Sequence, residues 1–360
     1  MTDLAQWRTT EPFANAFGPR DATIAIVGDV WGQQEVLAGI PFMGSGGQEL
    51  TRLLKESNIA RGSCFLTTVF PLQPERGDVE SICVNKAGAG EGYTMPPLRM
   101  GKYILPELLG ELKRLKSELE TVRPNLIIAV GQLAAWALLL SPGISAIRGT
   151  VAQCVLVPGL KVLPTYHPTA VLRNWALRPI VLADLMKASQ EALFPEIRRP
   201  QRLVTIEPHL EDIAEWVKDT LANPPEALGT DIETWKGQIT MIGFARSRSD
   251  ALVIPFISEG KPGHNYWDNP GEERDAWRFV RVLLESSIPK IFQNGVYDIG
   301  YLMRLGLKVN AAYRDTMLLH HAMYPELQKG LGFLGSIYSS EASWKLMRKR
   351  SGDTIIKADE

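Results

Sequence analysis

Between residues 23 and about 190 the chain alternates short apolar runs with amphipathic stretches, and this alternation constrains its fold more than any other feature. TIAIVGD (23–29), CFLTTVF (64–70) and NLIIAVG (125–131) read as buried strands, and QCVLVP and KVLPTYHP add two more. Among them, ILPELLGELKRLKSELETV places Ile104, Leu105, Leu108, Leu109, Leu112, Leu115 and Leu119 on one helical face. Pro106 suits its first turn, and the charged LKRLKSELE stretch reads as a solvated helix face. QLAAWALLL follows directly on Gly131 as a further helix. Such alternation predicts a largely parallel sheet with helices on both faces. Ligands of these sheets bind beyond the carboxyl ends of the strands. Three turns, GDVWG (28–32), TTVFP (67–71) and TYHPT (165–169), fall at such ends and are expected to converge.

Past residue 193 the pattern changes. FPEIRRPQR (194–202) carries two prolines and three arginines with little apolar periodicity, which predicts a linker. A short strand (RLVTI) and a helix (HLEDIAEWVKDTLA) follow, then ALGTDIET, QITMIGFARS and ALVIPF in quick succession, spaced for antiparallel hairpins. EERDAWRFVRVLLES is an amphipathic helix, KIFQNG a strand and VYDIGYLMRLGL a helix. The expectation is an α/β chain of two domains, residues 1–193 and 203–360, joined by a linker at 194–202, the second domain holding a mixed sheet.

Composition excludes several classes. A net charge of −1 rules out a grossly basic nucleic-acid binder while leaving room for a local basic face. Cys64, Cys83 and Cys154 are scattered with no CxxC pair, so neither an iron–sulfur cluster, a zinc site nor a disulfide framework is expected. The N-terminus has no charged-then-apolar leader pattern. No apolar run approaches the roughly 20 residues that span a bilayer. A reduced, soluble, cytoplasmic protein without a membrane partner is expected.

Chemistry gathers at two places. Asp231 and Glu233 in TDIET are two apart on a strand and so face the same side, where close carboxylates call for a cation between them. The bland alternative is a polar strand edge facing solvent. FQNGVYDIGYL ends a strand at Asn294 and puts Asp298 one turn into a helix. The D-x-E and N-x-x-Y-D motifs, roughly 60 residues apart, together with YRDTMLLHHAMYPELQKGLGFL, resemble the DEDD-type 3′–5′ exonuclease domains joined to family A DNA polymerases, those of bacteriophages in particular. The resemblance covers residues 203 to 350. It implies a ribonuclease H-like mixed-sheet domain with Asp231, Glu233 and Asp298 as catalytic ligands of two Mg²⁺ or Mn²⁺ ions, and Asn294 and Tyr297 toward the DNA. Asp315 reads as a helix N-cap rather than a ligand. The family's third motif, Tyr-x-x-x-Asp, has no match: Tyr338 is followed four residues on by Ala342, and neither Asp353 nor Asp359 has the tyrosine. The metal site is therefore expected to be incomplete.

In the first half, Gly28-Asp29-Val30-Trp31-Gly32, Pro41-Phe42-Met43-Gly44 and His167-Pro168-Thr169 occur in the order and at the strand ends of three motifs of the uracil-DNA glycosylase superfamily. The resemblance spans residues 20 to 190 and implies a three-layer α/β/α domain on a parallel sheet. By it, Phe42 is a platform for a flipped base, with Gly28 and Thr68 beside it. His167 hydrogen-bonds the departing base, and Asp29 positions water or stabilises the sugar cation. Gly44, Ser45, Gly131, Thr169 and Arg173 are expected to hold DNA phosphates. The chain departs from the family in having Asp29 where glutamate is usual, Trp31 where proline is usual, and Thr68 where a uracil-reading asparagine is usual. Taken singly, Phe42 and Trp31 have the plainer reading of core aromatics, and His167 of a turn cap.

Together the resemblances imply a phage-type replication or repair protein, the N-terminal portion of a DNA polymerase that acts on single-stranded or primer-terminal DNA, in the host cytoplasm if phage-encoded. The competing expectation is a DNA-binding accessory subunit that docks onto a separately encoded polymerase-domain chain. No nucleotide cofactor is expected in either case.

Overall fold

The computed structural model describes residues 8–339 apart from 142, 259 and 312. The Ala342, Asp353 and Asp359 considered above lie outside the described residues. Described residues 8–198 and 332–339 form one compact unit, and 199–331 a second.

The first unit is built on five strands: β1 (Ile24–Val30), β2 (Cys64–Phe70), β3 (Leu126–Val130), β4 (Ala152–Gln153) and β5 (Lys161–Thr165), ordered β2-β1-β3-β5-β4. The first four of that order run parallel, and β4 pairs antiparallel at the edge. Side chains alternate between two cores, as a pleated strand buried on both faces requires. Ala25, Val27, Phe65, Val69, Ile127 and Ala129 point to one core, which the helices α3 (Gly110–Val122) and α4 (Gln132–Leu139) cover with Leu115, Leu119 and Trp136. Ile26, Leu66, Ile128 and Leu163 point to the other, covered by α2 (Ser45–Glu56) and α6 (Arg178–Glu191) through Leu50, Leu53, Val181 and Leu185. Two further helices, α1 (Gln33–Ala38) and α5 (Pro168–Arg173), follow the turns after β1 and β5. This is the expected three-layer arrangement.

The solvated face expected for LKRLKSELE is wrong in one respect. Glu111, Arg114 and Glu118 of α3 are all buried. Arg114 pairs with both carboxylates, the Glu118 contact being 2.7 Å. It also donates to the carbonyl oxygens of Thr68 (2.5 Å) and Val69 (3.0 Å) at the end of β2. Glu118 accepts from Thr67 Oγ1 at 2.8 Å and from the Phe13 amide at 3.0 Å, so one ion network ties α3, β2 and the N-terminal segment together.

The second unit has a six-stranded mixed sheet: β6 (Leu203–Thr205), β7 (Leu228–Trp235), β8 (Gln238–Ala245), β9 (Asp250–Pro255), β10 (Lys290–Phe292) and β11 (Tyr313–Asp315), ordered β11-β10-β7-β8-β9-β6. β7, β8 and β9 are antiparallel, as their close spacing predicts, while β6, β10 and β11 pair parallel to their neighbours. Helices α7 (Leu210–Ala222) and α8 (Pro270–Glu285) supply Ile213, Val217, Val280 and Leu283 to its core. Helices α9 (Gly295–Arg304) and α10 (Thr316–Met323) follow β10 and β11.

The division differs from the sequence expectation at its C-terminal end, where residues 332–339, mostly within helix α11 (Leu331–Tyr338), belong to the first unit. The reason is polar: Lys187 donates to the Ser336 and Ser339 carbonyls at 2.8 and 2.5 Å, and Arg148, ion-paired to Asp184, donates to Ser336 Oγ at 2.8 Å. Sequence periodicity carries no signal of such a return.

Arg114→Met is expected to destabilise the first unit by about 3–5 kcal/mol, because it leaves two buried carboxylates without their cation. Urea unfolding of Arg114→Met and of Arg114→Met/Glu118→Gln measures this, the double variant recovering part of the loss. A loss under about 1 kcal/mol would show that the network does not hold β2.

Candidate functional site

The three turns at the carboxyl ends of β1, β2 and β5 do converge. They line a cavity of about 620 Å³ that includes Asp29, Trp31, Glu35, Phe42, Thr68 and His167. Ser45, Thr169 and Arg173 stand along the same wall.

Asp29 is the last but one residue of β1, and its Oδ1 accepts from the Ala134 amide at 2.9 Å, in the first turn of α4. A helix N-terminus presents unpaired N–H groups and the positive end of its dipole, so a carboxylate is held well there. The close approach requires glycine at 131, where φ is +110° and a Cβ would lie 2.3 Å from Asp29 Oδ2. Burial nevertheless dominates: it raises the Asp29 carboxyl from its ordinary 3.8 to about 7, against the opposing pull of the Ala134, Leu133 and Gln132 amides.

His167 caps α5. Its Nδ1 accepts from the Thr169 amide at 3.2 Å and lies 2.8 Å from Thr169 Oγ1. Burial, reinforced by the charge of Arg173, lowers the imidazole from 6.5 to about 4. The ring is therefore neutral at physiological pH, and with Nδ1 spent as acceptor its proton sits on Nε2. Phe42 lies nearly parallel to this ring, at 22° with centroids 6.4 Å apart. Its backbone is left-handed (φ +59°), a strained state for a bulky residue. Three features hold it there. Arg61 donates to the Phe42 carbonyl at 3.0 Å; Gly47 leaves space for that oxygen, which a Cβ would meet at 1.8 Å; and Gly28 admits the ring, whose Cζ a Cβ would meet at 2.7 Å.

Two of the expected phosphate donors are otherwise engaged. The Gly131 amide donates to the Thr165 carbonyl at 2.9 Å, and the Gly44 amide to Glu35 Oε1 at 2.7 Å. Their role is to shape the pocket. Glu35, overlooked in the sequence, also accepts from the Gly32 amide at 3.0 Å and so staples the two glycine turns together. Its signal was an acid three residues after the glycine that opens a helix. Thr68 sits beside Gly28 in register, but its hydroxyl and the Trp31 Nε1 are shielded from solvent and have no hydrogen-bond partner among the described residues. Ser45 begins α2 and is exposed; Arg173, at the end of α5, is exposed as well.

In the second unit Asp231 and Glu233 are exposed on one face of β7, as two-residue spacing predicts. Asp298 is buried, and its Oδ1 accepts from the Ile232 amide at 3.0 Å. Burial raises its carboxyl, and the charges of Asp315 and Glu233 add to the rise. Asp315 is the N-cap expected, accepting from the Met317 and Leu318 amides, and it also braces the Asn294 and Gly295 amides. Asn294 is left-handed and exposed, and the Tyr297 hydroxyl lies 2.5 Å from Thr234 Oγ1. Among the described residues no three His, Cys, Asp or Glu side chains form a group able to hold a metal ion. The donor set expected for a two-metal site, Asp231, Glu233 and Asp298, is not gathered for one here: the first two stand exposed on β7, and Asp298 is buried with its Oδ1 on the Ile232 amide. The three cysteines are free, and no described helix is long and apolar enough to cross a membrane.

Residues 16–190 match the model of the uracil DNA glycosylase superfamily. The type-4 uracil-DNA glycosylase of Thermotoga maritima is 30% identical over 173 residues, which cover 48% of this chain and 78% of that protein. The corresponding enzyme of Pyrobaculum aerophilum is 32% identical over 169 residues, covering 45% and 74%. The chain belongs to the uracil-DNA glycosylase superfamily. Among solved structures, similarity is found to Escherichia coli RNase D, an exoribonuclease involved in structured RNA processing (15% identity, 40% of this chain and 34% of that one, TM-score 0.28). A further match is the EXD2 exonuclease domain soaked in Mn (20%, 34% and 58%, TM-score 0.24). The chain thus spans about a third of the RNase D chain and somewhat over half of the EXD2 domain.

A carboxyl that titrates near 7 when folded and near 3.8 when unfolded holds its proton more tightly in the native state. Stability from this group is present below pH 3.8 and is lost as pH rises through 7. Asp29→Asn keeps the acceptor for the Ala134 amide without the charge. Its Tm should therefore exceed that of the parent chain at pH 8 and match it at pH 4; calorimetry showing equal Tm differences at the two pH values would contradict this assignment.

Proposed function

We propose that the first unit hydrolyses the glycosidic bond of a uracil-type base in DNA. The observation that carries this reading is a pair lining one pocket: a carboxylate held at a helix N-terminus and a neutral histidine whose Nε2 carries the proton. A flipped base would lie against Phe42. As the bond between sugar C1′ and the base nitrogen breaks, negative charge gathers on the base carbonyl and His167 Nε2–H donates to it. The positive charge left on the sugar is balanced by the Asp29 carboxylate, which then takes a proton from the water that attacks C1′. A neutral donor suits this task because it needs no proton from solvent and remains neutral above pH 5 or so.

DNA is the substrate this reading requires, and the membership of residues 16–190 in the glycosylase superfamily supports it. A metal-dependent 3′–5′ exonuclease in the second unit, and a place in a phage-type polymerase or beside a polymerase-domain chain, are finer readings supported by the motif resemblance of residues 203–350. That the described residues hold no group of three His, Cys, Asp or Glu side chains placed for a metal weighs against the exonuclease. With Mg²⁺ or Mn²⁺ and 3′-labelled DNA, this chain is expected to give no digestion above that of Asp231→Ala; metal-dependent shortening lost in Asp231→Ala would reverse the conclusion.

For base excision, oligonucleotides carrying one deoxyuridine should acquire alkali-labile sites when incubated with the chain. His167→Ala should lower kcat by about 10²- to 10³-fold, the cost of losing one donor to a developing anion. The carboxylate must be ionised, so kcat/KM should fall with decreasing pH below about 7, and Asp29→Asn should abolish that dependence along with most activity. Absence of alkali-labile sites, or excision by either variant as fast as by the parent chain, would sink the proposal.

A further inference from the structure

The second unit holds a cavity of about 1010 Å³ that the glycosylase reading does not use. Four arginines line it, Arg274, Arg278, Arg281 and Arg304, against one lining carboxylate, Glu273. That carboxylate is engaged, accepting from Asn265 Nδ2 at 3.0 Å. Three of the arginines come from α8 at spacings of four and three residues, so they share one helical face. At a rise of about 1.5 Å per residue, Arg274 and Arg278 are about 6 Å apart along the axis, a step comparable to that between successive phosphates of an extended strand. Their guanidinium groups reach solvent, with side chains 65% and 66% exposed. Asp275 on the same helix pairs with Arg278 at 2.6 Å and lies 3.7 Å from Arg274.

Flat aromatic surface lies in the same walls. Trp235 is 45% exposed, with His264 at its edge and Lys236 Nζ 4.2 Å from its ring centre, and Trp277 stacks on Phe256 at 3.8 Å and 13°. Arg304 sits over the Tyr301 ring at 5.3 Å. Cations spaced along a helix, interleaved with aromatic faces, match a polymer that alternates phosphate with planar base. An acidic peptide would use the cations and leave the rings idle; double-stranded DNA would offer phosphates with its bases already stacked.

We propose that this cavity holds single-stranded DNA, phosphates on Arg274, Arg278 and Arg281 and a base against Trp235 or Trp277, without any metal ion. The inference is independent of base excision by the first unit, and a strand lacking uracil keeps the two separable. In the test, the full chain is bound in EDTA to a labelled uracil-free single strand containing 5-iododeoxycytidine. Anisotropy at several salt concentrations gives affinity, and irradiation followed by peptide mapping locates the strand.

The expected crosslink falls on the peptides bearing Trp235 or Trp277. Arg278→Ala/Arg281→Ala should weaken binding about tenfold and make the slope of log K against log[salt] shallower by about 1.4, two phosphate contacts at roughly 0.7 each. Far-ultraviolet circular dichroism and Tm verify that the double variant is folded, and Arg278→Lys/Arg281→Lys, which keeps the charge, should recover the salt slope. Crosslinks confined to residues 8–198, an unchanged salt slope in the alanine variant, or displacement of the strand by polyglutamate or duplex DNA as effective as by unlabelled single strand would each overturn the proposal.

Discussion

The first unit's site depends on one contact, the Asp29 carboxylate against the N-terminus of α4. Gly131 makes it possible, and no other residue would fit there without displacing the acid. The contact joins the ends of β1 and β3, which are neighbours in the sheet, so the acid stands at the mouth of the parallel sheet where the pocket opens. Burial and backbone donors act on it in opposite directions. Burial wins, and the carboxyl is left near neutrality, in the range where a group can both hold and release a proton. His167 is shifted the other way by the same dry pocket, leaving it uncharged. An acid pushed up and a base pushed down in one cavity assign complementary tasks to the two groups.

Around that contact the pocket is held under strain. Phe42 keeps an unfavourable left-handed backbone because its carbonyl is gripped by Arg61 and its ring lies over Gly28. Glu35 bridges the turns on either side. The α3 network reaches the same place from below, since Arg114 holds the carbonyls of Thr68 and Val69 at the end of β2. A buried ion network is a poor source of net stability. Here it fixes the position of a strand end, and with it the floor of the pocket.

Much of this was legible in the residues. Alternating apolar runs located the four parallel strands, while QCVLVP proved mostly turn beside a two-residue antiparallel edge strand, and the three polar turns marked where the parallel strands would meet. Spacing placed Asp231 and Glu233 on one strand face and Asp315 at a helix start. What escaped were properties of partnership. Nothing in a glycine's identity says that its amide is already bonded, so Gly44 and Gly131 read as phosphate donors and proved to be space for Glu35 and Asp29. Arg114 and Glu118 read as surface charges because burial of a pair depends on a third element, β2, far off in sequence. The return of α11 to the first unit rests on three side chains, Arg148, Lys187 and Ser336, that no local pattern connects.

The second unit shows the same lesson in its electrostatics. A net charge near zero averages over the chain and conceals a cavity where four arginines face one engaged carboxylate. Because screening confines charge interactions to about 8–10 Å at ordinary ionic strength, a strand of DNA responds to that local excess rather than to the total. The acidic D-x-E motif on β7 and the basic face of α8 belong to the same unit, yet they ask for different things: the acids for a cation, the arginines for an anion. Asp298 and Asp315 accept from backbone amides while Asp231 and Glu233 stand exposed on β7, and the arginine heads reach solvent with Asp275 beside two of them. The single-strand site proposed for α8 therefore rests on the arginines and rings of that cavity, and it stands or falls independently of the carboxylates on β7.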